Sequence, residues 1–520
     1  MAYTYERIST WDMVTGLQVR GGFVGEVEVQ MEQLKGRGIE FPLSGQTGKQ
    51  TWLRLVSATE NIFDEKGNQP GLRERLIFQT VPASTTLTPE LDMAVIALMI
   101  RAPETVVYMG EVDQNGEFLP LNRPLMVGRK LKELNRTAVV PLPSAADVAL
   151  ATGRDDMVIG VRNVREFLMA MRGVSRAPRA ACSKDMALDD ERQAYQLDDL
   201  KFIKRQPIAK EALEIAMAGG HHLLLVGPPG EGKTELAKRA YTICPKLTVD
   251  EALEVAALWE AEGIERLSLR PPFVKATRNS TPVALHGGGG ADGPSPGVVS
   301  LAHRGILMAD EVFLWTKTML DSLRIPLEDK KVNIHRKDWS VEFPADFQLI
   351  ATANPCQCGF WSPDNEDPRG CSCTKTELYN YSKKVSGPIL DRLDLKVWVR
   401  RLGEALLTAS SEEEEPSSVV GARVAQARAM QEKRYHDLPI TRNSELSPAL
   451  YDAYCHEQPE TVKQIVDVGA KKLLSTRGLV RLRRLARTCA DLRGSESVDP
   501  EDIERTVGFL NVPLPLRGKD

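Results

Sequence analysis

The first part of the chain shows two hydrophobic periods, which predict strands and helices in one α/β module. Apolar and polar residues alternate at 23–30, as in a half-buried strand, whereas 91–100 is an apolar run typical of a buried helix. The pair Asn115-Gly116 predicts a hairpin turn, and residues 137–141 predict a further strand. This module contains no glycine-rich phosphate loop.

The second part begins with continuous apolar runs and ends in helical periodicity. Residues 223–226 are all apolar and predict a buried strand, as does the run at 349–353. From about residue 419 to 510 the spacing is helical, and Pro500 fits the first turn of the last helix. One apolar stripe at helical spacing consists of Leu482, Leu485, Ala486, Cys489 and Leu492. The pattern predicts an α/β core followed by a helical domain.

Composition places the chain among ordinary globular proteins. Its 520 residues are 42% hydrophobic and 27% charged, and the length predicts about two to four domains. The net charge of −4 gives no overall attraction to nucleic acid, so such a contact would need a local basic surface. We find no signal peptide and no apolar run of membrane-spanning length, and therefore expect a cytoplasmic protein without a membrane partner.

Two polar stretches mark the predicted domain boundaries. Residues 178–198 are polar with mixed charge, and residues 410–418 combine a run of Glu with Ser and Pro. Both compositions are typical of solvated linkers. The prediction is a domain at 1–180, a linker at 181–198, a core at 199–405, an acidic linker at 406–420 and a helical lid at 421–520.

The strand at 223–226 is followed by a turn that fits the phosphate-loop pattern G-x-x-x-x-G-K-[ST]. Glycines let the backbone curve around phosphate, and the following helix adds its positive end. We predict that Lys233 reaches the β and γ phosphates of ATP and that Thr234 holds Mg²⁺ through its hydroxyl. The alternative is an ordinary glycine turn, but both flanks fit the phosphate loop. The predicted nucleotide-binding residues are Gly227, Pro228, Pro229, Gly230, Glu231, Gly232, Lys233 and Thr234.

A second apolar strand, at 305–309, ends in two carboxylates, Asp310 and Glu311. ATP hydrolysis needs one carboxylate to hold Mg²⁺ and another to polarise the attacking water. We assign Asp310 to the metal and Glu311 to the water, which predicts an ATP hydrolase. The alternative, an exposed strand end, is disfavoured because this strand follows a phosphate loop in the same predicted domain.

Half of the eight cysteines lie close together in sequence, which predicts a reducing compartment and a local site. Four thiolates can complete a tetrahedral zinc site, although C-x-C spacing is less common than C-x-x-C. Free buried thiols are the alternative. The predicted ligands of a structural Zn²⁺ are Cys356, Cys358, Cys371 and Cys373.

Two alternating stretches within residues 330–343 flank a basic tip, which predicts a β-hairpin. The tip consists of His335, Arg336 and Lys337. Positive side chains there can contact DNA phosphates without reading the base sequence. The alternative is a solvated hairpin tip without a partner.

Several motifs resemble the ComM/YifB family of magnesium-chelatase-like AAA+ ATPases. SGPILDRLD at 386–394 is similar to the family's SGPLLDR motif, and PSPGVVSLAHRGIL at 294–307 is similar to its helix-2 insert. The resemblance implies that Asn354 is the sensor 1 residue that aligns the water, that Arg392 reaches the neighbouring subunit's ATP, and that Arg477 is the sensor 2 residue. Ordinary ion pairing or a surface position is the alternative for both arginines. A departure is KATRNS at 275–280, where the family usually carries two histidines.

The N-terminal part resembles the Lon-protease-like domain of the same family, through ELDMAVIALMI and GEVDQNGEFLPL. We expect the Ser–Lys dyad of true Lon proteases to be absent, because no Ser lies between Thr88 and Ile100 and Leu125 stands about where the Lys would fall. The resemblance thus implies a Lon-protease-like (S5-type) α/β domain, a P-loop AAA+ α/β core with a helix-2 insert and a pre-sensor-1 hairpin, and a C-terminal helical lid.

For function, the resemblance implies a hexameric ring that threads single-stranded or branched DNA and drives branch migration during natural transformation. The alternative is a protein-remodelling motor like the magnesium-chelatase ATPase subunit or a MoxR-type chaperone. A Lon-like protease is a third alternative, which the missing dyad argues against. DNA-stimulated ATP hydrolysis separates the first two functions.

Overall fold

The computed structural model describes residues 12–20, 23–35, 38–40, 74–81, 88–100, 102–171, 199–290, 293–335, 340–363, 369–384, 387–402 and 414–515. They form two compact units. Unit 1 comprises the described parts of Met1–Leu188, Val249–Leu267 and Gly289–Ser295, and unit 2 those of Asp189–Thr248, Ser268–Gly288 and Pro296–Asp520. Within the described ranges, no helix has both the length and the apolar character that crossing a membrane requires.

Among the described residues, strands and helices alternate up to about residue 400, and helices dominate the part from 414 onward. The strands are β1 (Asp12–Arg20), β2 (Phe23–Lys35), β3 (Gly38–Glu40), β4 (Glu74–Val81), β5 (Val107–Tyr108), β6 (Ala138–Pro141), β7 (Val158–Val161), β8 (Leu223–Val226), β9 (Phe273–Ala276), β10 (Gly287–Gly290), β11 (Gly293–Pro296), β12 (Ile306–Ala309), β13 (Lys331–His335), β14 (Ser340–Pro344), β15 (Gln348–Ala353), β16 (Leu395–Trp398), β17 (His456–Glu457) and β18 (Ser497–Val498). The α-helices are α1 (Asp92–Met99), α2 (Pro124–Leu134), α3 (Leu142–Thr152), α4 (Val164–Met171), α5 (Pro207–Gly219), α6 (Lys233–Arg239), α7 (Val249–Glu260), α8 (Pro282–His286), α9 (Val298–Leu301), α10 (Lys317–Ser322), α11 (Arg324–Asp329), α12 (Lys375–Lys384), α13 (Gly387–Leu390), α14 (Ser417–Arg434), α15 (Pro448–Tyr454), α16 (Pro459–Lys471), α17 (Thr476–Leu492) and α18 (Pro500–Val507).

Unit 1 is built on a mixed seven-stranded sheet with the strand order β3-β4-β2-β1-β5-β6-β7. β1 and β2 pair antiparallel, whereas β1, β5, β6 and β7 pair parallel. α1 is buried from residue 92 to 98, which explains its continuous apolar run. α7, which comes later in the chain, also belongs to this unit. Its last residue, Glu260, accepts hydrogen bonds from the N–H groups of Leu125 (3.3 Å) and Met126 (2.9 Å) in the first turn of α2, where a carboxylate is favoured.

Unit 2 contains a five-stranded sheet with the order β16-β8-β15-β12-β9, in which all neighbouring strands are parallel. β8, β12 and β15 are fully buried, as expected for parallel strands whose two faces are covered, and this is why they read as unbroken apolar runs. Their carboxyl ends meet at one edge of the sheet. Ligands of open parallel sheets bind at this edge, which we call the carboxyl edge.

The helical domain of unit 2 joins the sheet through a shared core. Leu213 of α5, Val424 of α14 and Leu485 of α17 belong to the same buried cluster as the sheet residues. The predicted stripe on α17 is confirmed, because its first four members are buried and Leu492 is half-buried. α18 begins at Pro500 as predicted.

Most predicted elements are confirmed, including β2, α1, β6, β8, β12, β15 and the β13–β14 hairpin. One difference concerns the stretch predicted as a solvated linker. The Glu414 carboxylate binds the ammonium of Lys210 at 2.6 Å, and Glu415 pairs with Arg423 at 2.8 Å. α14 already begins at Ser417, before the predicted lid boundary at 421. Lys210 and Arg423 bind these two acidic residues. The composition of the stretch gives no sign of these partners. The other predicted linker, 181–198, lies outside the described residues.

Candidate functional site

The predicted phosphate loop connects β8 to α6 at the carboxyl edge. Gly230 and Gly232 have φ angles of 85° and 80°, which residues with a side chain rarely adopt. A Cβ on Gly227 would lie 2.4 Å from the carbonyl oxygen of Val399, so only glycine fits beside the end of β16. These glycines let the backbone turn tightly into the positive end of α6.

Lys233 is only 8% exposed and folds back over this loop. Its ammonium donates hydrogen bonds to the carbonyl oxygens of Gly227 (2.7 Å) and Pro228 (2.6 Å) and to the side-chain oxygen of Asn354 (3.1 Å). Burial lowers the pKa of Lys233 to about 8, against the attraction of nearby carboxylates. Three neutral oxygens therefore hold this cation inside the loop.

Asp310 follows β12 and lies beside the phosphate loop. Its Oδ1 accepts hydrogen bonds from the hydroxyls of Thr352 (2.6 Å) and Thr234 (3.3 Å), and its Oδ2 lies 2.8 Å from the ammonium of Lys275. Burial raises the pKa of this carboxyl, but the hydrogen bonds from Lys275 and Thr352 outweigh it and leave the pKa below its ordinary value. Because Mg²⁺ prefers oxygen ligands, Thr234 and Asp310 fit the metal that the sequence predicts.

Glu311 occupies the left-handed backbone region, with φ of 50°. Its N–H donates to the Thr352 hydroxyl (3.2 Å), and the indole N–H of Trp315 donates to the Asp310 carbonyl (3.0 Å). The Glu311 side chain is 47% exposed, and its Oε2 lies 3.8 Å from a guanidinium nitrogen of Arg278. The turn therefore directs Asp310 toward the phosphate loop and leaves the Glu311 carboxylate accessible to water.

Asn354 directly follows β15, which lies between β8 and β12. Its side-chain oxygen accepts the hydrogen bond from Lys233, and its carbonyl accepts one from the hydroxyl of Tyr381 (2.8 Å). The structure thus brings together Lys233, Thr234, Asp310 and Asn354, because neighbouring parallel strands end at the same edge.

The four cysteines predicted to bind zinc form one cluster, and their sulfur atoms all lie within 4.8 Å of one another. The Cys356 and Cys358 sulfurs are 3.3 Å apart, and Cys371 lies 3.8 and 3.6 Å from them. Zn–S bonds of about 2.3 Å in a tetrahedral site require sulfur separations of about 3.8 Å, so the cluster fits zinc. Although burial opposes ionisation, backbone N–H groups and neighbouring thiols lower the pKa of Cys358 to about 6.

The loop that carries these cysteines packs against the phosphate loop. A Cβ on Gly359 would lie 2.8 Å from the Pro229 side chain, and a guanidinium nitrogen of Arg369 lies 4.0 Å from the Glu231 carboxylate. A metal that ordered the cysteine loop would therefore also support the wall of the phosphate loop.

Arg392 and Arg477 line a cavity of about 670 Å³ at the opposite edge of the sheet. This amino-edge cavity also contacts residues that precede β8, β15 and β16, namely His222, Asp346 and Asp394. Strand β8 separates the two edges by about 13 Å, since each residue adds about 3.3 Å. Arg392 forms an ion pair with Glu328, and Arg477 is exposed. Neither arginine therefore lies at the edge that carries its own chain's phosphate loop.

An ion-pair network fills one side of the amino-edge cavity. One guanidinium nitrogen of Arg442 binds the two oxygens of Asp346 (2.6 and 2.5 Å) and one oxygen of Glu445 (2.9 Å). Lys330, directly before β13, pairs with Glu445 and lies 3.6 Å from Asp346. Burial opposes ionisation of both carboxyls, but these cations hold the pKa of Asp346 well below its usual range and that of Glu445 at about 2.

The predicted DNA-binding hairpin is present as β13 and β14, which pair antiparallel from Lys331 with Pro344 to His335 with Ser340. His335 is exposed, and its Nδ1 lies 2.7 Å from the Ser340 hydroxyl. Arg336 and Lys337 lie outside the described residues, so their predicted role stays a prediction.

Sequence reasoning did not identify Lys275, Thr352 or Tyr381 as site residues. Thr352 lies on β15, two positions before Asn354, which directly follows the strand. Period-two alternation predicts both side chains on one side of the sheet, and this spacing was the available signal. Lys275 lies in the segment that departs from the family pattern. Tyr381 carries no local signal, because its contact with Asn354 spans a loop.

Comparison with known proteins agrees with this geometry. Residues 199–407 match the family described as magnesium chelatase, subunit ChlI, and residues 414–509 match its C-terminal counterpart. An uncharacterized protein of Mycobacterium tuberculosis (strain ATCC 25618 / H37Rv) is 34% identical over 428 residues, 81% of this chain and 82% of its own. The uncharacterized protein YifB of Salmonella typhimurium (strain LT2) is 30% identical over 78% of this chain and 77% of its own. The competence protein ComM of Haemophilus influenzae (strain Rd) is 33% identical over 60% of both chains. The chain therefore belongs to the magnesium-chelatase-like family that includes YifB and ComM.

Proposed function

We propose that this protein is an AAA+ ATP hydrolase that works as a hexameric ring and translocates DNA. The observation that carries the proposal is the meeting of Lys233, Thr234, Asp310 and Asn354 at one sheet edge, with Glu311 beside them at the end of β12. These are the groups that phosphoryl transfer to water requires, placed by adjacent parallel strands.

In this proposal each residue of the site has one task. The Lys233 ammonium leaves the loop carbonyls and binds the β and γ phosphates, assisted by the backbone from Gly227 to Gly232. Thr234 and Asp310 hold Mg²⁺, which when bound would neutralise phosphate charge. Glu311 orients and polarises the attacking water, and Asn354 aligns it.

The two edges of the sheet suggest how a ring would work. Arg392 and Arg477 face away from their own phosphate loop, into the amino-edge cavity. A ring that brings this edge against the carboxyl edge of the next subunit would give the neighbour's ATP two guanidinium groups. Arginine suits this task because it stabilises charge on several phosphate oxygens.

We further propose DNA as the substrate, with branch migration in natural transformation as the process. Support comes from the similarity to a protein named for competence and from the hairpin whose basic tip carries His335, Arg336 and Lys337. The proposal includes a cytoplasmic location, a Lon-protease-like domain at 1–180 without a proteolytic dyad, and a helix-2 insert before β12.

The decisive experiment measures ATP hydrolysis with and without single-stranded and branched DNA, and DNA affinity across salt concentrations. We expect DNA to stimulate hydrolysis, and affinity to fall with a log–log slope of about −0.7 per phosphate contacted on a single strand. Replacing Arg336 and Lys337 with Ala should weaken binding and flatten the slope, while basal hydrolysis stays nearly unchanged. If the unmutated protein with nucleotide does not bind DNA, the protein-remodelling motor becomes the better function.

We also propose a structural zinc ion at the cysteine cluster, since the sulfur separations suit a tetrahedral site. Metal analysis of protein purified without chelator should give about one zinc per chain. Cys356→Ser should lower this content, whereas Cys455→Ser, at a buried cysteine outside the cluster, should not. A zinc content near zero in reduced, folded protein would leave the cluster as free thiols.

A further inference from the structure

Lys275 contacts the carboxylate that the proposed function assigns to Mg²⁺. It lies on β9, the edge strand beside β12, with its backbone paired in register with Met308. From there its ammonium reaches Oδ2 of Asp310 at 2.8 Å. The Lys275 side chain is 42% exposed and that of Asp310 is 20% exposed, so water and ions can reach the pair.

The two oxygens of Asp310 have different partners. Oδ1 accepts hydrogen bonds from Thr234 and Thr352, which are neutral, whereas Oδ2 faces the positive charge of Lys275. Thr234 and Asp310 are the two oxygen donors proposed for Mg²⁺. A monovalent cation thus already neutralises the charge to which the divalent ion would be attracted, and two cations near one carboxylate repel each other.

We propose that the Lys275 ammonium competes with Mg²⁺ for the Asp310 carboxylate. This competition raises the Mg²⁺ concentration at which the nucleotide site fills. This inference rests on the proposed function, because it takes Asp310 as a Mg²⁺ ligand. Arg278 offers an internal comparison. It is the next cation along the same segment, but it lies 3.8 Å from Glu311 and is not paired with Asp310 in the structure, so its removal should leave the Mg²⁺ requirement unchanged.

The test measures metal-dependent nucleotide binding and needs no turnover. A fluorescent, non-hydrolysable ATP analogue is held at constant concentration with wild-type protein, Lys275→Met, Arg278→Gln and Lys130→Met, and Mg²⁺ is titrated. Lys130→Met removes the same charge from an ion pair in unit 1. We expect Lys275→Met to lower the half-saturating Mg²⁺ concentration by about fivefold, the size of a partly exposed ion pair. Direct Mn²⁺ binding, followed by electron paramagnetic resonance, should shift in the same direction.

An unchanged or higher Mg²⁺ requirement in Lys275→Met would overturn the inference, and so would an equal shift in Arg278→Gln or Lys130→Met. Should Lys275→Met fold poorly, Lys275→Gln removes the same charge and takes its place. If the wild-type protein binds the analogue without any Mg²⁺ dependence, the proposed function itself fails at Asp310. A normal wild-type dependence with no effect of Lys275 removes only the competing lysine.

Discussion

The carboxyl edge and the amino edge of the five-stranded sheet each hold a largely buried cation, Lys233 and Arg442, but the partners of the two cations differ. At the carboxyl edge, Lys233 is bound by two backbone carbonyls and one amide oxygen, partners that a phosphate group can replace with a gain in charge complementarity. At the amino edge, Arg442 is bound by Asp346 and Glu445, which are themselves charged. The first arrangement suits a site that exchanges ligands. The second suits a permanent contact between the sheet and the helical domain.

The amino edge is not uniform, and the difference within it is instructive. Arg442 is enclosed by carboxylates, whereas Arg477 is exposed and Arg392 pairs with Glu328, a half-exposed residue of α11. The Arg392 side chain is itself only 11% exposed, but its partner Glu328 is 52% exposed, whereas Asp346 and Glu445 are largely buried. Water can solvate the Glu328 carboxylate when the pair separates, so this pair costs less to break than one between buried partners. Arg392 can therefore exchange its partner more easily than Arg442, and Arg477 is already exposed.

The largest expected effect comes from substitutions at the carboxyl edge. Glu311→Gln should keep nucleotide binding but reduce turnover by about 100-fold or more, because an amide cannot accept the proton of the attacking water. Lys233→Ala should instead weaken nucleotide binding itself, which a filter or fluorescence binding assay measures. Near-normal turnover in Glu311→Gln would refute the assignment of the water-activating residue.

A smaller effect tests whether the two edges serve different subunits. Arg392→Ala and Lys233→Ala should each be nearly inactive alone. Mixed rings place some intact amino edges beside intact carboxyl edges, so mixtures should exceed both parents in ATP hydrolysis. Differently tagged subunits recovered together show that mixed rings form. Activity that never exceeds either parent in such rings would exclude the action of Arg392 on its neighbour.

Local sequence patterns identify the residues that meet at the carboxyl edge, but not the ion pairs of the amino edge, for a physical reason. Phosphate binding needs a fixed local spacing of residues, here from Gly227 to Thr234. Buried parallel strands appear in the sequence as continuous apolar runs. The Asp346–Arg442 pair joins positions that are distant in the chain, and no local pattern marks either residue. Lys275 likewise has no local signal in the sequence 275–280. Its contact with Asp310 follows from the register of β9 with β12.

The smallest of these three effects is a pH dependence that involves the carboxyl edge alone. Burial lowers the pKa of Lys233 to about 8 in the free protein, and bound phosphate should raise it again, so nucleotide binding takes up a proton. Affinity should therefore fall about tenfold between pH 7.5 and pH 9, as free Lys233 loses its charge. The ion pairs of Asp346 and Glu445 at the amino edge should keep their charges over this pH range, because the pKa values of both carboxyls lie far below it. Calorimetry in two buffers of different ionisation enthalpy measures the proton uptake, and Lys233→Arg, whose guanidinium does not titrate here, should show none. Equal proton uptake by both proteins would locate the titrating group elsewhere than at Lys233.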